Sequence, residues 1–231
     1  MDFLPIFLNI KNRNCLVVGG GEVAVRKITL LLQAGAQVSV ISPEPDASLS
    51  EYVALGKIKH SAEHFQPSHL HNAVLVIAAT NNRVTNQLVS ETARQHLIPV
   101  NVVDNPDLCT FIMPSIIDRS PLMIAISSGG QSPVLARLLR AQLETIIPAA
   151  YARLTAIAGK LRQQVKEHFT HPEKRRIFWE KTLQGTFTDM VLAGRDKAAI
   201  DYLLQSLQHE KDESPQGEVY LVGAGPGNPD L

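Results

Sequence analysis

The sequence predicts an α/β protein: a parallel-sheet domain first, a small α+β segment next, and a helical domain last. Three observations predict it. The apolar strand Cys15-Leu16-Val17-Val18 runs into the cluster Gly19-Gly20-Gly21 and at once into a helical stretch. The runs Ala73-Val74-Leu75-Val76-Ile77-Ala78-Ala79 and Pro99-Val100-Asn101-Val102-Val103 have the near-continuous apolar character of strands covered on both faces. Beyond Pro148 the strand pattern gives way to helical text as far as about His209.

Each element has its own reason. The first strand is expected near 14–18 and a helix near 22–34, because Val25, Ile28, Leu31 and Leu32 share one helical face and Gly35 supplies a stop. A second strand follows near 37–41, a weaker pair of elements between 46 and 66, strands near 73–79 and 99–103, and a helix near 82–96 between them. Residues 1–113 therefore read as a Rossmann-like domain whose ligand sits at the C-terminal strand edge. Ile112 to Arg119 and Leu122 to Ser127 read as two strands joined by Arg119-Ser120-Pro121. Next, Ser132 is the expected N-cap and Pro133 the first residue of a helix reaching Ile147, with Leu135, Leu138, Leu139 and Leu143 on its apolar face. That makes 114–147 a segment of its own. Residues 148–209 are helical with breaks near His171-Pro172, Gly185 and Gly194, 210–217 is a polar linker, and 218–231 opens a new strand and glycine loop.

Composition narrows the function classes. With 22 basic and 22 acidic residues and 45% apolar content, the chain has core to spare and no global charge pointing to nucleic acid or an anionic membrane. No run reaches the length of a membrane span. The N-terminus is apolar but lacks a basic start and meets Pro5, so it is not expected to be a signal peptide. Cys15 and Cys109 have no metal-ligand or disulfide spacing, and a cytoplasmic protein is expected.

The chemistry-bearing residues gather at the glycines. Gly19 makes the tight turn, Gly21 lets the backbone approach a pyrophosphate, and Ala24 allows close helix packing, with the phosphates on free N–H groups of the helix start. A plain glycine-rich loop of an α/β protein has the same spelling. Glu22, Val23, Pro43 and Glu44 are the other cofactor candidates. Ser42 stands where an acid usually ends the second strand, Glu44 follows two positions later, and no arginine waits for a 2′-phosphate, which favours NAD. Thr80 and Asn81 close a strand and either line the nicotinamide or cap the next helix. Asp104 lies just past an apolar run, either as a site carboxylate or as a turn-former in Asp104-Asn105-Pro106-Asp107. Ser127, Ser128, Gly129 and Gly130 precede a helix N-terminus suited to an anion or to simple capping. His60, His64, His69 and His71 read as surface histidines, so no protein metal site is expected, and Lys174-Arg175-Arg176 reads as a solvated helix face.

Four stretches, Val17 to Ala24, Ala78-Ala79-Thr80-Asn81, Val102-Val103-Asp104 and Ile126 to Ala136, make the chain resemble the N-terminal half of the multifunctional siroheme synthases over about residues 1–215. The resemblance implies NAD-dependent oxidation of precorrin-2 to sirohydrochlorin, then insertion of ferrous iron as a substrate to give siroheme. Asp104 would serve as the base in both steps, and the Ser127 to Gly130 loop with Arg137 and Arg140 would recognise the tetrapyrrole carboxylates. A phosphate on Ser128 would weaken that recognition. The resemblance also implies a homodimer exchanging 114–147, which makes this the dimerisation segment. Val222 to Gly227 resembles the start of a methyltransferase domain that is not in this sequence, so methyl transfer is expected to be absent. Two rival readings are a non-catalytic NAD(H)-sensing module and a short-chain-type dehydrogenase. The second is disfavoured because no tyrosine is followed four positions later by lysine.

Overall fold

The computed structural model describes residues 2–44 and 46–210. They form two compact units, one holding residues up to 115 together with 125–140, the other 116–124 together with 141 onward.

The first unit is built on a parallel sheet. Its elements run β1 (Asn14–Val18), α1 (Glu22–Gln33), β2 (Gln37–Ile41), α2 (Ala47–Ala54), β3 (Ile58–Ser61), β4 (Ala73–Ala78), α3 (Arg83–Gln95) and β5 (Val100–Val102). The weaker pair expected between 46 and 66 is thus α2 and β3. Strand order is β3-β2-β1-β4-β5, and every pairing is parallel, with Val17 opposite Val40 on one side and Ile77 on the other. Because alternate side chains of a strand point to opposite faces, each strand feeds two cores. Cys15, Val17, Val38, Val40, Leu75 and Ile77 pack on Ala24, Ile28 and Leu31 of α1. Leu16, Val18, Val76, Ala78, Val100 and Val102 pack on Val89 and Ala93 of α3. This two-sided burial is why the strands read as apolar runs.

Cys15 is fully buried, and that desolvation pushes its thiol up to about 11 despite the opposing charge of Arg13. Its folded value lies above the ordinary 9.0, so its stabilising contribution is complete below pH 9 and is lost as pH rises through 11. Urea titrations should therefore show a stability loss of about 3 kcal/mol across that window, absent in Cys15→Ala. An equal alkaline loss in both proteins would assign it to other groups.

Past the sheet, β6 (Ser115–Arg119) and β7 (Leu122–Ile126) form a two-stranded sheet. The first begins later than the expected Ile112, because Pro114 has no N–H to give a ladder. Arg119 donates from Nε to the Ile147 carbonyl at 3.0 Å, which ties the hairpin to the chain after α4 (Pro133–Ile146). The leucine stripe expected on α4 is present but uncovered in the single chain: Leu135, Leu138 and Leu139 are 50%, 55% and 40% exposed, and Ala136 is buried.

Among the described residues four helices follow: α5 (Tyr151–His168), α6 (Pro172–Leu183), α7 (Thr186–Leu192) and α8 (Asp196–His209). Leu154, Ile157, Leu161 and Val165 recur along one face of α5 and join Phe178, Phe187, Val191, Ala199, Leu203 and Leu207 in a separate core. Phe169, in the break between α5 and α6, seats its ring 5.4 Å from that of Phe178. Pro172 opens α6 at a position where its missing N–H costs nothing. Gly185 caps α7, and Gly194, at φ 77°, turns the chain into α8. The expected linker and terminal strand lie outside the described residues, apart from Glu210.

Candidate dinucleotide and substrate site

The glycine turn is wedged between two strand ends. Gly19 donates to the Ile41 carbonyl at 2.8 Å and takes φ 121°, and a Cβ there would stand 2.3 Å from the Ala79 carbonyl oxygen. A Cβ on Gly20 would meet Ser42 Oγ at 2.5 Å. Gly21 differs from both: nothing lies within 4 Å of its Cβ position, and as N-cap of α1 it offers no side-chain acceptor. The first-turn N–H groups of a helix have no acceptor within it. With no side-chain cap and an open Cβ position at Gly21, this helix start fits the pyrophosphate of a dinucleotide. Glu22 and Gly21 are exposed, Val23 is half-buried, and Ala24 is fully buried under the helix.

The second-strand end explains the missing acid. Ser42 is buried, donates from Oγ to the Glu44 carbonyl at 2.9 Å, and its own carbonyl accepts from His60 Nε2 at 2.9 Å. It props the loop under Gly20 and is not presented to a ligand, whereas Pro43 and Glu44 are exposed beside it. His60 is thereby a supporting residue on β3, a role its spacing did not reveal.

At the end of β4, Thr80 Oγ1 donates to Asn86 Oδ1 at 2.7 Å and accepts from the Asn82 N–H at 3.1 Å. Asn86 Nδ2 returns a bond to the Thr80 carbonyl at 2.9 Å. Asn82 is the cap of α3, accepting from the Thr85 N–H. Thr80 therefore holds the turn, and Asn81 is left exposed at its tip.

Asp104 is exposed, at φ 59°, immediately after the Val103 N–H bonds the Ala78 carbonyl at 2.9 Å. Aspartate is among the few residues that enter this left-handed region readily. Cys109 organises the bend: its Sγ accepts from the Val102 N–H at 3.1 Å and lies 3.3 Å from the Val102 and Asn105 carbonyls. Burial raises this thiol too, so it stays a neutral neighbour. Buried Asn101 bonds the Phe111 carbonyl, and Arg94 bonds the Asp107 and Cys109 carbonyls. Val103 and Phe111 pack onto the α1 side of the sheet. Half-buried Lys27 of α1 lies within electrostatic reach of Asp104: its ammonium is pushed down chiefly by burial, then by Arg26, while Asp104 pulls it back up. Lys27 is a candidate the sequence reading passed over; its position three residues after Ala24 of α1 is the signal that would have found it.

The Ser127 to Gly130 loop is a tight glycine turn ahead of α4. Gly129 and Gly130 both have positive φ, 65° and 85°, with nothing within 4 Å of either Cβ position. Ser127 Oγ accepts from the Gly129 N–H, and Ser128 Oγ accepts from the Ser132 N–H at 2.9 Å. Ser132 caps α4 through the Leu135 N–H. Arg137 and Arg140 are exposed on that helix. Among the described residues no hydrogen bond ties this loop to the sheet edge that gathers Gly21, Thr80 and Asp104. Likewise, among the described residues no cluster of three or more histidine, cysteine or acidic side chains is suited to a metal, and no helix is long and apolar enough to cross a membrane.

A five-stranded parallel sheet with an uncapped, glycine-led helix at its carboxyl edge defines a Rossmann-type dinucleotide-binding protein. In agreement, residues 6–115 match a family model described as "Putative NAD(P)-binding", 119–145 one described as "Sirohaem biosynthesis protein central", and 150–207 one described as "Sirohaem synthase dimerisation region". The siroheme synthase of Nitrosomonas eutropha is 62% identical over all of this chain and 49% of its own length, and that of Nitrosomonas europaea is 60% identical over the same shares. The solved structure of SirC, a precorrin-2 dehydrogenase, aligns with a TM-score of 0.68 over 90% of this chain and 100% of its own, at 23% identity, and so shares the fold. Over its whole length the chain is similar to siroheme synthases, and it spans about half the length of the curated relatives it matches. Residues 6–115 thus match an NAD(P)-binding domain.

Proposed function

We propose that this chain oxidises precorrin-2 to sirohydrochlorin and then inserts ferrous iron to give siroheme, working as a homodimer. The observation that carries the reading is the exposed Asp104 carboxylate, held in a left-handed bend at the same sheet edge as the open N-terminus of α1. Bound NAD supplies the hydride acceptor. The chain's own residues do the rest. The first-turn N–H groups after Gly21 hold the pyrophosphate, Glu44 meets the ribose hydroxyls, and Asn81 borders the nicotinamide. Asp104 takes the proton that leaves the macrocycle, so that precorrin-2 and NAD⁺ give sirohydrochlorin, NADH and a proton. The same carboxylate receives pyrrole N–H protons as iron, a substrate here, enters the ring. Lys27 lies within electrostatic reach of Asp104. N–H groups of the Ser127 to Gly130 loop, with Arg137 and Arg140, take the substrate's carboxylates. A phosphate on Ser128 would break its contact with the Ser132 N–H and repel them. The uncovered leucines of α4 support the homodimer.

The test is anaerobic incubation with precorrin-2, with and without NAD, following NADH and sirohydrochlorin, and then siroheme once ferrous iron is added. NADH and product in equal amounts establish the oxidation. Tight NAD binding without turnover would establish a sensing module in its place.

A further inference from the structure

A strongly charged concavity lies within the helical unit. A groove of about 650 Å³ runs between α5 and α6. One wall is Gly159, Arg162, Gln163 and Lys166, a single face of α5 at helical spacing; the other is Pro172, Arg175, Arg176 and Trp179 of α6. Four cations and no carboxylate line it. Arg176 is already answered by Glu173 and by Glu180, the latter at 3.0 Å. Among the described residues no acidic side chain pairs with Arg162, Lys166 or Arg175.

That arrangement works against the empty protein. Arg162 and Lys166, four residues apart on one helix, repel each other, in a chain whose charges otherwise balance. Gly159 sits in the interior of α5, where glycine weakens a helix relative to alanine, yet nothing lies within 4 Å of its Cβ position, so packing does not require it. Its effect is to leave room in the groove. Half-buried Trp179 gives the site an aromatic wall, and guanidinium groups are matched to planar oxyanions by their forked donors.

We propose that this groove binds a compact multivalent oxyanion, a polycarboxylate or polyphosphate, held by Arg162, Lys166 and Arg175 beside Trp179. The site shares no residue with the Asp104 edge, so its failure would leave the proposed oxidation standing.

Trp179 is the only tryptophan in the chain, so its emission reports on the groove directly. The protein is titrated with butane-1,2,3,4-tetracarboxylate and, separately, with tripolyphosphate, neither of which absorbs where tryptophan does. A saturable change with either anion is expected, weakening as salt is raised; the stronger arm identifies the ligand's acid group. Arg162→Ala combined with Arg175→Ala should weaken binding by about tenfold or more, whereas Lys160→Ala, outside the groove on α5, should not. Helicity is checked by circular dichroism, and if the double alanine variant loses it, the paired Arg→Gln substitutions carry the same comparison. No saturable change, or the same change in the double variant, overturns the proposal. So does emission shielded from acrylamide, which would mean that a second copy covers the groove.

Discussion

Asp104→Asn should leave NAD binding and thermal stability unchanged while lowering the rate of precorrin-2 oxidation about 100- to 10,000-fold, the usual loss when a positioned proton acceptor is removed. Asparagine is the informative replacement because it also accepts φ 59°, so the bend held by Cys109 and Asn105 survives and only the charge is removed. Asp104→Ala would confound the result with backbone strain. Iron insertion by Asp104→Asn, assayed with supplied sirohydrochlorin, should fall too, since the same carboxylate is assigned both proton transfers. Normal oxidation in the asparagine variant would remove Asp104 from the mechanism.

The second large effect is expected at the glycine turn, where neighbouring positions should fail in opposite ways. Gly19→Ala forces a methyl to 2.3 Å from the Ala79 carbonyl oxygen at φ 121°, so the strand ends must part. A stability loss of about 3 kcal/mol or more is expected, visible as a lowered melting temperature with or without NAD. Gly21→Ala meets nothing within 4 Å and needs no unusual φ, so stability should change by less than about 1 kcal/mol. NAD affinity, measured by calorimetry, should nevertheless fall about tenfold or more, because the new methyl stands where the phosphates approach. Equal NAD affinity in Gly21→Ala and the parent chain would place the pyrophosphate elsewhere.

How much of this was legible in the sequence follows from the range of the forces involved. The sheet was readable because burial on both faces writes itself into local text: β1, β2 and β4 lie where their apolar runs do, and α1 and α3 end within a residue or two of their expected limits. The glycine turn was readable because the positive φ of Gly19 and the close approach at Gly20 leave little choice of residue. The roles of Ser42, His60, Asn86 and Cys109 were not, since each depends on a hydrogen bond to a residue between 2 and 18 positions away that no periodicity records. Thr80 shows the ambiguity well: its hydroxyl bonds Asn86 and the Asn82 N–H, while the helix cap expected of it falls to Asn82. Lys27 was hidden by its type, because a lysine in a helix ordinarily reads as solvated.

The uncovered leucines of α4 make the protein's stability a matter of how much of it is present. If they are withdrawn from water only when two chains meet, association and folding draw on the same free energy, and dilution becomes a mild denaturant. The melting temperature should then climb with protein concentration, and Leu135→Ser with Leu138→Ser should flatten that climb without disturbing the Rossmann core, whose contacts lie wholly within one chain.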